Sequence, residues 1–422
     1  MNGQKTRNVY VLHGARTAFT RAGTDLANVS PVELGRAATT EALARSGVDA
    51  RSVDQVVFGN IATPVDAANI ARVIALRAGI PKEKPAHSVS RNCASGIEAV
   101  VQAARLIQTG EAEVVVAGGV ESMSQIPFLY RDSVKAVLTE AGMAKSAGAR
   151  LGAFKKMPWK DVLNPVIGIK QGLTDPVCDL NMGETAEVLA KEGHLSREEQ
   201  DRFALRSHQR AQAARQKLAE EIVPVPLPPD FAKLAMLDNG VREGQTMEAL
   251  AKLKPFFDRK FGTVTAGNSS QITDGGAAVI VASEDFVKAN GLPALGRILS
   301  WGFAGLEPER MGLGPSRSTP VALKRAGLSM KQIGLVEMNE AFAAQVLANL
   351  RAFESDPELG AVSEDILNVN GGAIALGHPV GSSGTRLILT LLMEMKRRGV
   401  QNGLATLCVG GGQGASIVLE AA

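Results

Sequence analysis

The chain has 422 residues, enough for about two to three domains and a large core. A hydrophobic fraction of 45% is that of a soluble globular protein, and a formal charge of +3 gives no electrostatic reason to invoke nucleic acid. The 44 glycines and an aromatic fraction of only 4% point to close backbone packing and many tight turns.

Asn8 to Leu12 reads as a first strand, with Gly14 to Thr17 as a turn. Val32 to Ser46 has helical spacing and a stop at Gly47. Val53 to Asn60 is a strand, and Ala67 to Ala78 a helix. Pro85 to Val89 is an extended approach to Ser90-Arg91-Asn92-Cys93-Ala94-Ser95-Gly96, which opens a helix with apolar positions at Ile97, Val100, Val101, Ala104 and Ile107. Glu113 to Gly119 is an almost wholly apolar strand, as in a sheet covered on both faces. Strand and helix alternate, so the fold class is α/β.

From about Ser124 to Leu253 strand signals thin out. Gly183 to Glu192 and Ser196 to Glu220 read as helices, the second opened by the capping box Ser196-Arg197-Glu198-Glu199. The stretch Arg131 to Lys170 holds eight Lys/Arg against three Asp/Glu, mixed with Phe154, Trp159 and Leu163. It is expected to be a surface loop over the substrate site, with a membrane surface or a partner protein as a second contact. Gly262 to Ser270 is a Gly/Ser/Asn-rich loop suited to a polar or anionic ligand, and Ala277 to Ala282 returns to strand.

The second half repeats the first. Glu41-Ala42-Leu43-Ala44-Arg45-Ser46-Gly47 matches Val321 to Gly327, Val53 to Phe58 falls on Ile333 to Met338, and Ala94-Ser95-Gly96 falls on Ser382-Ser383-Gly384. A shared order of helix, strand, small-residue corner, helix and strand is a duplicated unit. Duplication brings the two corners together near a pseudo-twofold axis. Cys93 lies at a helix start, where free N–H groups and the helix dipole favour a thiolate. The matching corner supplies His378, between a glycine and a proline. Asn339 and Glu340 end a repeated strand, and Cys408 ends another. Strand carboxyl ends are where α/β sheets place ligands.

The three cysteines, Cys93, Cys178 and Cys408, form no paired framework and suit a reducing compartment, the cytoplasm. No apolar run reaches membrane-spanning length, and Met1 to Arg7 lacks the apolar core of a leader.

Asn92-Cys93-Ala94-Ser95-Gly96, Asn339-Glu340-Ala341-Phe342, Gly377-His378-Pro379 and Cys408-Val409-Gly410-Gly411-Gly412 resemble the four fingerprints of the thiolase family, in the family's order. The resemblance implies a five-layered α-β-α-β-α sandwich of two halves, residues 1–123 plus 254–290 and residues 291–422, with residues 124–253 as an inserted, mostly helical loop domain. It implies reversible ping-pong thiolysis of 3-ketoacyl-CoA and condensation of acetyl-CoA. Cys93 is the expected nucleophile, His378 its proton partner and Cys408 the acid–base at carbon. Asn339 serves one oxyanion site through a water, and the N–H groups of Cys93 and Gly410 form the other. Ser270, Met182 and Met311 are the expected coenzyme A or acyl contacts. No metal or redox cofactor is implied. A homodimer or homotetramer is implied, and a fatty-acid oxidation partner subunit is a possible further contact.

Two departures stand out. Asn181 occupies the place where many short-chain members carry histidine. Asn339 is kept although the fatty-acid oxidation branch, which Pro165 to Gly172 resembles, often has histidine there. A ketoacyl synthase of the same fold would lack a second catalytic cysteine, and a non-catalytic scaffold would have no need of Cys93 and His378 together.

Overall fold

The computed structural model describes residues 7–422, so Met1 to Thr6 of the N-terminus read above lie outside the described residues. Nine strands form the backbone of one large sheet: β1 (Val9–Thr17), β2 (Gln55–Gly59), β3 (Ala86–Val89), β4 (Val114–Ser122), β5 (Thr273–Ser283), β6 (Gly296–Gly305), β7 (Leu335–Met338), β8 (Asn402–Val409) and β9 (Gln413–Ala421). Their order is β7-β8-β9-β6-β1-β5-β4-β2-β3, with the short segments Thr20–Arg21 and Ile222–Val223 attached to β5 and β1. The two halves of the chain meet at β1 and β6, where Tyr10 faces Arg297 and Val11 faces Gly296.

Eight helices concern the argument: α1 (Pro31–Ser46), α2 (Ile70–Arg77), α3 (Ser95–Gln108), α4 (Met182–Glu192), α5 (Arg197–Ala213), α6 (Gly314–Ala326), α7 (Ala343–Ser355) and α8 (Val380–Arg398). α1 starts where expected, with the Ser30 side chain accepting from the Glu33 N–H, and stops at Gly47 in the left-handed region.

Side-chain alternation builds the layers. On β4, Val115 and Ala117 face a central core shared with Ile97, Val100 and Leu387, whereas Val114 and Val116 face α1 and α2. On β8 and β9, Ala405, Leu407, Ala415 and Ile417 face the same central core, whereas Leu404 and Val418 pack with Leu323 of α6 and Val346 of α7. The result is α1/α2, sheet, α3/α8, sheet, α6/α7: five layers, with β4, β5 and β8 buried on both faces and the edge strand β3 partly exposed.

The pseudo-twofold relation is visible where α3 meets α8. A Cβ on Gly96 would lie 2.5 Å from the Thr385 nitrogen, and one on Gly384 would lie 2.5 Å from the Ile97 nitrogen. The matched glycines let the two helices touch backbone to backbone. Gly96→Ala is therefore expected to lower stability by about 1–3 kcal/mol, read from chemical denaturation, and to move the Cys93 corner. A variant as stable as the parent would show that the contact relaxes freely.

Three sequence expectations change. Gly14 to Thr17 is not a turn: it continues β1 beyond an irregularity between Val11 and Gly14, and the wholly buried Arg16 is held there by Glu221 at 2.8 Å and Asp238 at 2.7 Å. The helix from Ala67 starts later, at Ile70, because the Asn69 side chain caps the Arg72 N–H. The helix expected over 196–220 breaks at Ala214, where Ala211, Ala214 and Leu218 pack on Ala375 and Leu376. That is a tertiary contact with no local breaker.

Residues 131–170 form short helices rather than a loop, Asp132–Met143, Ala147–Phe154, Trp159–Leu163 and Gly168–Gly172. Their outer faces carry Met143, Trp159 and Leu163 in the open, at 78%, 67% and 78% exposure. Among the described residues no helix is long and apolar enough to cross a membrane.

Candidate active site

β2, β3 and β4 run parallel, as do β7 and β8, so the carboxyl ends within each group open on one side. The two corners lie beyond those ends. At the first, Asn92 adopts a left-handed conformation with φ of 43°, which asparagine tolerates better than most residues. Its side-chain amide donates to the Gly410 carbonyl at 2.8 Å, tying the cysteine corner to the turn after β8. The Ser95 hydroxyl accepts from the Arg91 N–H at 2.8 Å and donates to the Asn92 carbonyl at 2.7 Å. Arg91 is itself fixed by Glu98 at 2.7 Å and lies 4.1 Å over the Phe303 ring. The backbone ahead of α3 is thereby held in one shape.

Cys93 is half-buried. Burial pushes its thiol up, and the negative charge of Glu121 adds a little to that; the nearby backbone N–H groups of Gly410 and of Cys93 itself pull the other way. This corrects the expectation of a thiolate favoured by the helix start. Desolvation outweighs the two donors, so the resting group is a thiol, and deprotonation has to accompany attack.

At the second corner Gly377 has φ of 99°, and a Cβ there would run into Thr273. The His378 N–H is shared by the Gln271 carbonyl and the Thr273 hydroxyl, each at 3.2 Å. Nδ1 lies 2.5 Å from the Ser383 hydroxyl, which donates its own hydrogen to the Pro379 carbonyl at 3.1 Å. A hydroxyl has one hydrogen, so Ser383 accepts from Nδ1–H. That fixes the tautomer and leaves the Nε2 lone pair open. Nε2 faces the Asn339 amide nitrogen at 3.4 Å, and the wholly buried Asn339 has a side-chain oxygen with no protein partner. Burial, helped by the Arg386 charge, pushes His378 down to about 4. The resting imidazole is neutral.

Cys408 lies at the end of β8, opposite Gly414 of β9. It belongs to an apolar cluster with Val264, Met311, Ala341 and Phe342, against which Met182 and Phe257 also pack. Burial pushes this thiol far up, and the neighbouring Cys93 charge pushes it further. The chain turns after Val409 through Gly411 and Gly412, at φ of 87° and 74°, before β9 returns. A Cβ on Gly410 would lie 3.3 Å from the Met182 sulfur, so Met182 sits against that turn.

Of the residues singled out in the sequence, Cys93, Gly410, Cys408, Met182 and Met311 thus fall in one connected region, and His378 contacts Asn339. Ser270 is half-buried beside them: its N–H bonds Ala341 at 2.9 Å, and the next residue, Gln271, braces His378. Asn181 has another task. Its side chain accepts from the Gly183 N–H in the capping box that starts α4. Asn92, Ser383 and Glu121 were missed by sequence reasoning. An asparagine before a turn cysteine and an acid closing an apolar strand were the signals for two of them; for Ser383 it was the repeat that sets it opposite Ser95.

The arrangement offers a neutral thiol at a helix start beside the Gly410 turn, a neutral imidazole whose Nε2 meets only the Asn339 amide, and a second thiol in an apolar wall. Such a set can accept an acyl group, shuttle a proton and hold a developing oxyanion.

Comparison with known proteins points the same way. The model "Thiolase, N-terminal domain" matches residues 9–285 and "Thiolase, C-terminal domain" matches residues 292–421. The 3-ketoacyl-CoA thiolases of Yersinia pestis and Yersinia pseudotuberculosis are 40% identical over 425 residues, covering 98% of this chain and 96% of theirs. Among solved structures, the acetyl-CoA acetyltransferase of Bacillus anthracis is similar with a TM-score of 0.88 and 37% identity, over 99% of each chain. The human mitochondrial 3-ketoacyl-CoA thiolase in complex with CoA is similar with a TM-score of 0.87 and 38% identity, over 99% of this chain and 98% of that one.

Proposed function

The chain belongs to the thiolase family, and from that premise we propose that it transfers acyl groups through an acyl-cysteine formed on Cys93. The protein is an acyl-CoA C-acyltransferase, running thiolysis of 3-ketoacyl-CoA and condensation of acetyl-CoA as two directions of one ping-pong reaction. The observation that best supports the assignment is the meeting of halves at the cysteine corner: Asn92, next to Cys93, comes from the first half, and the Gly410 carbonyl to which its side-chain amide donates at 2.8 Å comes from the second.

In the first half-reaction the Cys93 sulfur attacks the thioester carbon while its proton passes to His378 Nε2. The C–S bond to coenzyme A then breaks, and the departing thiolate takes that proton. The bond type is unchanged, thioester to thioester, so the step asks for no redox partner. The N–H groups of Cys93 and Gly410 hold the oxygen of the tetrahedral intermediate in this reading. In the second half-reaction Cys408 moves the proton at the α-carbon, with His378 and the Asn339 side, through a water, at the thioester oxygen. Resting protonated, Cys408 is ready as the acid of thiolysis; as the base of condensation it must first be ionised against its burial. Ser270, Met182 and Met311 serve the coenzyme A and acyl portions. With these roles goes the division of the chain into residues 1–123 plus 254–290, 124–253 and 291–422.

Ser383→Ala tests the tautomer. Without its acceptor at Nδ1 the ring loses its preference, and kcat is expected to fall roughly 10–10²-fold with KM little changed. An unchanged kcat would mean that Pro379 and Gln271 suffice to hold the ring.

The physiological substrate is a 3-ketoacyl-CoA of fatty-acid oxidation in this reading, supported by the names of the Yersinia relatives. The Bacillus anthracis structure supports the second reading, acetoacetyl-CoA alone. A profile of kcat/KM for thiolysis, from acetoacetyl-CoA to long 3-ketoacyl-CoAs, decides: activity confined to the four-carbon substrate would overturn the first. The outer edge of β3, which among the described residues pairs only with β2, is the proposed face for a homodimer or dimer of dimers, since an open strand edge invites pairing. Sedimentation of a variant with proline on that edge would remain dimeric if another face is used. The exposed apolar and basic face of residues 131–170 is the proposed contact for a partner subunit. Deleting it should abolish co-purification with such a partner; retention would assign the contact elsewhere.

A further inference from the structure

Glu121 is a buried acid that the reaction above does not use. It stands near the end of β4 with 1% exposure. One carboxylate oxygen accepts from the Asn60 side-chain amide at 3.0 Å and the Ala62 N–H at 2.9 Å. The other accepts from the Ile61 N–H at 3.2 Å and the Gly381 N–H at 3.0 Å. Gly381 is the second residue of α8 and follows His378 by three, so an acid from the first half caps the helix that carries the histidine corner of the second.

Three backbones converge at this point. A Cβ on Gly59 would lie 2.5 Å from the Ser95 carbonyl carbon, and one on Gly381 would lie 2.7 Å from the Val120 oxygen and 3.0 Å from the Gly59 oxygen. The end of β2, the start of α3 and the start of α8 thus share one joint, and Glu121 supplies its polar centre. The four donors are all N–H groups, which a carboxylate, as a pure acceptor, satisfies completely. A protonated acid would turn a hydrogen toward a donor.

We infer that Glu121 is a positioning residue of the reaction: its carboxylate fixes the histidine corner relative to the Cys93 corner. The inference rests on the reading of Cys93 as the nucleophile. When charged, Glu121 also adds to the larger effect of burial in holding the Cys93 thiol up. Burial raises Glu121 to about 7 against the pull of its backbone donors, with Asp274 as the other acid facing it. The groups that titrate around this joint are therefore Glu121, Asp274, Cys93 and His378.

Glu121→Gln separates charge from shape. Whichever way the amide is turned, its NH₂ meets two N–H donors, so one side of the joint opens, and the charge is gone. Glu121→Asp keeps the charge but shortens the arm. The experiment alkylates Cys93 with iodoacetamide over about pH 6 to 10, maps the adduct by peptide mass spectrometry, and measures thiolysis alongside. The glutamine variant is expected to move the alkylation midpoint down and to lose roughly 10²-fold in kcat. The aspartate variant is expected to keep the parent midpoint and still lose roughly tenfold in kcat, with KM within about threefold. A glutamine variant, or, where that variant fails to fold, an aspartate variant, with the parent kcat overturns the inference. The parent protein's own acetylation by acetyl-CoA is scored in the same experiment: its absence from Cys93 would sink the nucleophile assignment whatever the midpoints do.

Discussion

Cys93→Ala is expected to take no acyl group from acetyl-CoA or a 3-ketoacyl-CoA and to lose thiolysis by roughly 10⁴-fold or more, the scale on which an essential nucleophile acts. The adduct is sought by acid quench and peptide mass spectrometry. In the parent it should sit on Cys93. Its surroundings explain why no other cysteine can replace it. Cys178 lies outside the joint, its N–H bonded to Asp175 at 3.2 Å. Cys408 lies close enough to feel the charge of Cys93, but it is sealed in the apolar cluster of Met311 and Phe342 and held protonated by burial. Cys93 alone combines partial exposure with a place at the start of α3, tied to the Gly410 turn through Asn92. An adduct found only on Cys178 or Cys408 would overturn the assignment.

Cys408→Ala should give the complementary result. Acetylation of Cys93 by acetyl-CoA should survive, since the first half-reaction uses only Cys93, His378 and the N–H pair. Condensation, thiolysis and exchange of the acetyl-CoA methyl hydrogens with deuterated water should all fall by roughly 10²–10⁴-fold, the usual contribution of one acid–base group. The pH behaviour carries a sign. Because burial raises the Cys408 thiol, the protonated form persists through neutral pH. The thiolysis direction, which needs an acid, should therefore hold its rate at alkaline pH longer than a thiol of ordinary pKa would allow, about 8.5. Near-normal methyl exchange in the mutant would name another base, and His378, with its free Nε2, would be the first to examine.

The chemistry-bearing residues were legible because they are local punctuation. Cys93 stands between an extended approach and a run of helical spacing; His378 sits between a glycine and a proline; Cys408 closes an apolar strand. Duplication was legible for the same reason, as two copies of one short-range pattern. The turn expected at Gly14 to Thr17 was misread because Arg16 looks like a surface residue. Only Glu221 and Asp238, more than two hundred residues away, make its burial possible. The split of the helix over 196–220 at Ala214 was likewise invisible, since its cause is a contact with Ala375 and Leu376.

What the sequence determined by itself was the alternation of strand and helix, the repeat, and the residues proposed to react, because periodicity and turn chemistry act over a few neighbours. What only the tertiary structure decided was their protonation and their aim. Cys93 is a resting thiol and His378 a neutral ring because burial removes water from both, and burial is a property of the packed whole. The histidine tautomer depends on a hydroxyl one helical turn away, and the Gly410 turn meets the cysteine corner only because two halves of one chain fold onto each other. Glu121 reads in sequence as one more acid after a strand. Its role appears only when Gly381, 260 residues later, brings an N–H to its carboxylate.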